Sequence, residues 1–172
     1  MIDISINKFL CMAILISENF SVAEQKTDFN STTINGMTFH WRFSKDHLQC
    51  KATAPTDGWV AIGFNTKDEL SGTNLIMGAV EQDYVTIDDR FIVKPGDHKS
   101  IIELGGSEAL VQRTGAEENG KTSISFSIPL SVNDKFHHNL VEGKDYYVLM
   151  AFSQEDDFQH HSIMRTTIKL KL

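Results

Sequence analysis

Met37-Thr38-Phe39-His40-Trp41-Arg42-Phe43 is the stretch that decides the fold. Large apolar side chains stand at every second position, with Thr38, His40 and Arg42 between them, and an extended strand sends residues i and i+2 to the same face. A helix would scatter those four apolar groups around its circumference. The stretch therefore predicts a strand with one buried and one wet face, as in the sheets of a layered all-β domain.

The same period continues outward from it. Ser44-Lys45-Asp46-His47 reads as a turn and Leu48, Cys50 and Ala52 alternate after it, so the two segments form a hairpin. Pro55-Thr56-Asp57-Gly58 is a second turn, launching Trp59-Val60-Ala61-Ile62-Gly63-Phe64, whose nearly continuous apolar run predicts a central strand. Further strands are expected over Leu75 to Val80, Val85 to Ile87, Phe91 to Val93, Ala109 to Val111, Thr122 to Ile128, Tyr146 to Phe152 and Ile163 to Leu172. Turn chemistry such as Lys94-Pro95-Gly96-Asp97 separates them, and a polar, Gly-containing excursion runs from Thr114 to Lys121. Ser131 to Leu140, with Ser131 as a cap and Val132, Phe136 and Leu140 four apart, predicts one short connecting helix. The sum is an all-β sandwich of about nine strands with Greek-key connections.

Charge and the N-terminus narrow the function classes. There are 23 acidic and 16 basic residues, a formal charge of −7, and no Lys/Arg cluster to meet phosphates, so nucleic acid is not an expected partner. Lys8 precedes the apolar run Phe9 to Ile16, and Ser21-Val22-Ala23 offers a small-x-small cleavage site, so residues 1–23 are expected to be a signal peptide. The run is too short for a stable membrane span, which needs about 20 residues. Residues 24–33 then form a linker and 34–172 the domain, exported to a periplasmic or extracellular space. Cys50 is the one cysteine left after the leader and reads as a small buried hydrophobe.

Motifs for catalysis do not emerge: no Gly-rich phosphate cradle, no G-x-S-x-G elbow, no H-E-x-x-H pair. A binding module without its own catalytic residues is the expectation. Glu155-Asp156-Asp157-Phe158-Gln159-His160-His161 stands out as an acidic loop between apolar strands that ends in two imidazoles. In an extended strand His160 and His161 would face opposite ways, so one could look into a pocket as a ligand to Zn, Cu or haem iron, unless the whole segment is a solvated loop. Met77, a thioether beside Gly78, could ligate soft metal or fill the core, and core filling is the simpler reading. His137 and His138 read as surface residues, as do His40, His47 and His98.

Three stretches in order carry a resemblance: Gly58-Trp59-Val60-Ala61-Ile62-Gly63-Phe64, Leu70-Ser71-Gly72-Thr73-Asn74, and His161-Ser162-Ile163-Met164-Arg165. From about Ile34 onward the chain resembles the DOMON family, the ligand-binding sandwich related to the cytochrome domain of cellobiose dehydrogenase and the N-terminal domain of dopamine β-monooxygenase. The resemblance implies an immunoglobulin-like β-sandwich that in several members holds haem b between an axial Met and an axial His or Lys. Its H-x3-R spacing maps onto His161 and Arg165, and its M-x-G methionine falls on Leu70, a residue that cannot ligate iron. Met77 would then be the nearest thioether, seven residues and about 23 Å along a straight strand; the iron could also be five-coordinate on His161. Arg165 and Lys67 are the cations available for haem propionates, and a redox partner protein would follow from electron transfer. The alternatives are a carbohydrate or small-ligand site, with Trp59 or Tyr147 as stacking surface and Asp156, Asp157 and His160 as hydrogen-bonding groups, or a metal-ion site of His161 with the acidic loop.

Overall fold

The computed structural model describes residues 28–172; the expected signal peptide lies outside the described residues. Eleven strands form: β1 (Asn30–Ile34), β2 (Met37–Ser44), β3 (His47–Ala54), β4 (Val60–Asn65), β5 (Asn74–Glu81), β6 (Tyr84–Lys94), β7 (Asp97–Ser100), β8 (Val111–Glu117), β9 (Thr122–Pro129), β10 (Asp145–Phe152) and β11 (Met164–Lys171). They make two antiparallel sheets, a five-stranded one in the order β1-β2-β3-β9-β8 and a six-stranded one in the order β11-β10-β4-β5-β6-β7. The alternation in β2 sorts as the sequence demands: Met37, Phe39 and Trp41 are buried between the sheets and Thr38, His40 and Arg42 are not.

One core fills the space between the sheets. Phe39 on β2 stacks on Trp41, with centroids 5.3 Å apart, and meets the edge of Phe64 on β4 at 6.2 Å. Leu48, Cys50 and Ala52 from β3, Ile124, Phe126 and Ile128 from β9, and Val148 and Met150 from β10 complete it. Cys50 is a free, buried thiol, and burial pushes its pKa well above the ordinary value.

Three expectations need correction. The strand count rises because β1 forms in the segment expected as linker, where Asn35 and Gly36 take positive φ and turn the chain straight into β2, and because β7 forms from Asp97 to Ser100, where no strand is expected. Val85 to Ile87 and Phe91 to Val93 are parts of one long strand, β6, whose polar centre, Asp88-Asp89-Arg90, stays in the sheet because its side chains find partners.

No helix is present among the described residues, and the expected one over Ser131 to Leu140 is a closed loop. Asp134 accepts hydrogen bonds from the amides of Phe136 and His137 at 2.9 and 3.0 Å, which gives the backbone a local alternative to helix. The Leu140 amide returns to the Leu130 carbonyl at 2.8 Å, and Tyr146 Oη donates to the Asn139 carbonyl at 2.7 Å. Val132, Phe136 and Leu140 have no continuous face to lie on, so their four-residue spacing does not produce a helix.

Candidate functional site

The second apolar cluster lies on the outer face of the six-stranded sheet, the side turned away from the sandwich core. Odd positions of β4 and β5, Ala61, Leu75, Met77 and Ala79, point outward, joined by Leu149 and Ala151 of β10 and Ile92 of β6. Directly opposed residues share a face, so the register sets out a row across the sheet: Arg165, Ala151, Ala61, Met77, Asp88. The adjacent row runs Leu149, Gly63, Leu75, Arg90. Ala151 and Ala61 in the first row leave a trough, whereas the space over Gly63 is filled by Thr73, whose Cγ2 would stand 2.5 Å from a Cβ there.

Three connections wall that trough into a cleft of about 120 Å³ that is open to solvent. The β4–β5 connection contributes Leu70, the β6–β7 hairpin Gly96, Asp97 and His98, and the β10–β11 connection Gln159, His160, His161 and Ser162. Trp59 and Arg165 line it as well. His161, Met77, Arg165, His160 and Leu70, separated by up to 95 positions in the chain, thus border a single cleft.

His160 and His161 are not on opposite faces of a strand, as alternation predicts. They precede β11 in a bent segment where Asp157 accepts from the amides of Gln159 and His160, and both reach the cleft. Period-two geometry needs extended backbone, and the Asp157 turn removes it. His160 Nδ1 lies 3.4 Å from Asp157 Oδ2, whereas the exposed His161 ring has no hydrogen-bond partner among the described residues; Ser153 Oγ holds its carbonyl at 3.1 Å. Met77 is buried in the floor and paired with Ala61. Lys67 is exposed, and neither it nor Tyr147 lines the cleft; Asp156 and Asp157 border a neighbouring hollow beside Phe158. Among the described residues no group of three or more His, Cys, Asp or Glu is gathered for a metal ion.

The expectation that His98 is a surface turn residue is corrected: it lies on β7 and lines the cleft. Arg90 Nε donates to His98 Nδ1 at 2.8 Å, Arg90 pairs with Asp88, and its guanidinium sits 5.8 Å from the Phe158 ring. Burial and the Arg90 charge hold the His98 pKa below the ordinary imidazole value, against a hydrogen bond with the Phe158 backbone. His137 is also corrected, from surface to buried. Its Nε2 is 2.8 Å from Asp89 Oδ2 and its Nδ1 2.9 Å from Asp134, while Asn74 Nδ2 donates to Asp89 Oδ1 at 2.7 Å. His138 Nε2 donates to the Gly72 carbonyl at 2.8 Å, fixing the loop that carries Leu70. A polar face on β6 combined with a histidine predicted at the surface was the available signal, but it pairs positions 48 residues apart.

Gly58 sets the end of the cleft where Trp59 enters. A Cβ there would stand 2.5 Å from the backbone of Gln154 and Glu155, which the Trp59 amide and carbonyl bind through Glu155 and Ser153, both at 3.0 Å. Gly58→Ala is expected to cost about 1–3 kcal/mol of stability through this overpacking. Urea unfolding checks it, and an unchanged midpoint would show that the connection yields freely.

A family model described as the DOMON domain matches residues 33–153. Among solved structures, the chain is similar to the cytochrome domain of Myriococcum thermophilum cellobiose dehydrogenase, with a TM-score of 0.60 and 12% identity over 82% of this chain and 78% of that one. It is equally similar to the cytochrome b domain of pyranose dehydrogenase from Coprinopsis cinerea, with a TM-score of 0.60 and 12% identity over 78% and 75%. No curated protein matches. At that identity the two structures speak for the sandwich fold, and with the family match over most of the described residues they lead to one conclusion: the chain belongs to the DOMON domain family.

Proposed function

We propose that this domain is an exported binding module that takes haem b in the cleft on the outer face of the six-stranded sheet, for electron transfer or haem sensing. The carrying observation is an apolar trough floored by Ala61, Leu75, Met77, Leu149 and Ala151, bordered by an imidazole, His161, with no partner among the described residues. The residues fit the group in three respects. The centre of the trough is small-residued and apolar, and among the described residues the buried indole N–H of Trp59 has no partner and Arg165 has no ion pair. A carbohydrate site draws less from this arrangement, since sugar stacking needs an exposed aromatic face and Trp59 is 4% exposed.

A bound haem would supply one-electron chemistry. The chain's own contribution is then to hold iron through His161, to exclude water with the apolar floor, and to offer Met77 as the one thioether lining the cleft. Leu70 stands at the wall as an apolar group. The N-terminal apolar run supports export.

Haemin titration tests the reading. Wild type is expected to give a Soret shift that His161→Ala abolishes and His160→Ala leaves within about twofold in affinity, because His160 is engaged by Asp157. Met77→Leu conserves volume and should cost under about 1.5 kcal/mol of stability. A change from low-spin to high-spin spectrum in that variant assigns the sixth position to Met77; an unchanged spectrum leaves His161 as sole protein ligand. Loss of the Soret response through His160→Ala alone, or no response in wild type, overturns the reading.

A further inference from the structure

We propose that Trp59 anchors a carboxylate of the ligand through its indole N–H, with Arg165 as a second, cationic donor, so that the cleft selects the free acid of a porphyrin over its neutral ester. This rests on the haem reading and adds the chemical form of the ligand. Trp59 lines the cleft, is 4% exposed, and its Nε1 is buried without a hydrogen-bond partner among the described residues. Leaving a buried donor unpaired is unfavourable, and a buried indole N–H ordinarily has an acceptor. The backbone of Trp59 is tied on both sides, amide to Glu155 and carbonyl to Ser153. Trp41 also has an unpaired N–H, but it stacks on Phe39 inside the core, where no cleft adjoins it.

The charges around the cleft select the acceptor. Although the whole chain carries −7, the formally charged residues lining the cleft are Arg165 and Asp97, and Asp97 is already paired with Lys99 at 3.6 Å. The Arg165 side chain forms no ion pair or hydrogen bond among the described residues, its backbone being paired with Ala151 in the β10–β11 ladder, so a ligand carboxylate meets an available guanidinium. A carboxylate has lone pairs enough to accept from guanidinium and indole together, and such charge-assisted bonds are stronger than those of a neutral hydroxyl.

Trp59→Phe keeps an aromatic ring and removes the donor. Haemin affinity, read from the Soret band, is expected to fall about tenfold in this variant, one hydrogen bond's worth. Haemin dimethyl ester, with both carboxylates masked, should bind wild type about tenfold more weakly than haemin and bind Trp59→Phe no worse than wild type. An equal loss for both porphyrins in the variant, or no loss for either, overturns the inference and leaves the haem reading standing. A second measurement needs no variant to fold. With diamagnetic zinc protoporphyrin IX, one of the two tryptophan indole N–H resonances should move further downfield with the free acid than with the dimethyl ester; equal shifts overturn the anchor. Wild type without any Soret response to haemin overturns both the haem reading and the anchor.

Discussion

His137→Ala is expected to lower the unfolding free energy by about 3–5 kcal/mol, the cost of leaving a buried charge without its partner. Asp89 and His137 side chains are each 1% exposed and 2.8 Å apart. Removing the imidazole leaves Asp89 Oδ2 bare, with Asn74 serving the other oxygen. It also frees Asp134, which then holds the 131–140 loop through backbone amides alone. The double variant Asp89→Asn, His137→Leu should cost less than His137→Ala, because no orphaned charge remains. Urea titration of both variants decides the matter, and a loss under about 1 kcal/mol in His137→Ala would show that Asp89 Oδ2 does not depend on the imidazole.

The pH dependence follows from the same contacts. Burial alone would lower the His137 pKa, but hydrogen bonds to Asp89 and Asp134, together with their charges, outweigh it and raise the value. A group whose folded pKa is raised stabilises fully below its unfolded value, about 6.5, and loses that contribution as pH rises through the higher folded value. Asp134 behaves in the opposite sense. Burial raises its pKa, but the hydrogen bonds from His137 and from the Phe136 and His137 amides prevail and lower it, so its contribution is lost as pH falls through the folded value. Wild type should therefore lose stability on moving from neutral to alkaline pH, and His137→Ala should lack that slope.

Phe39→Ala is expected to cost about 3–5 kcal/mol, the range for removing a fully buried phenylalanine. Phe39 has no exposed surface and joins the two sheets, stacking on Trp41 within its own strand and meeting Phe64 of β4 edge-on. The cavity would open between β2 and β4, where both sheets are held by strand ladders and cannot collapse onto it. Against a typical total of about 5–15 kcal/mol, this leaves a domain near its folding limit. Phe39 and Phe64 lie in the core between the sheets and do not line the cleft, so haemin affinity at a temperature where the variant is folded should match wild type. Unfolding midpoints within error of wild type would show that the sheets close over the lost ring.

How much of this was legible before folding depends on the range of the interaction. The alternation of Met37, Phe39 and Trp41 and of Leu48, Cys50 and Ala52 prescribed β2, β3 and their buried faces, because a side chain's face in a strand depends only on parity. The Trp59 to Phe64 run marked a central strand, and β4 is one, lying between β10 and β5 with the core beneath and the second apolar cluster above. The short helix over Ser131 to Leu140 was misread because spacing registers apolar residues and ignores an aspartate that captures two amides. His137 and His98 were assigned to the surface because polarity in sequence is silent about a partner supplied from another strand, Asp89 in one case and Arg90 in the other.

The sequence by itself determined β2, β3, β4, β5, β9, β10 and β11, the inward faces of β2 and β3 and, through three ordered motifs, the family. Only the tertiary structure decided that β10 lies between β11 and β4, which sets Arg165, Ala151, Ala61 and Met77 in one row. It also decided that a second apolar face exists outside the sandwich core, walled by three connections distant in sequence. The physical reason is that parity and turn chemistry are local, acting over two to four residues. Sheet order, cleft walls and buried polar pairs arise from contacts whose closure depends on every strand already being in place.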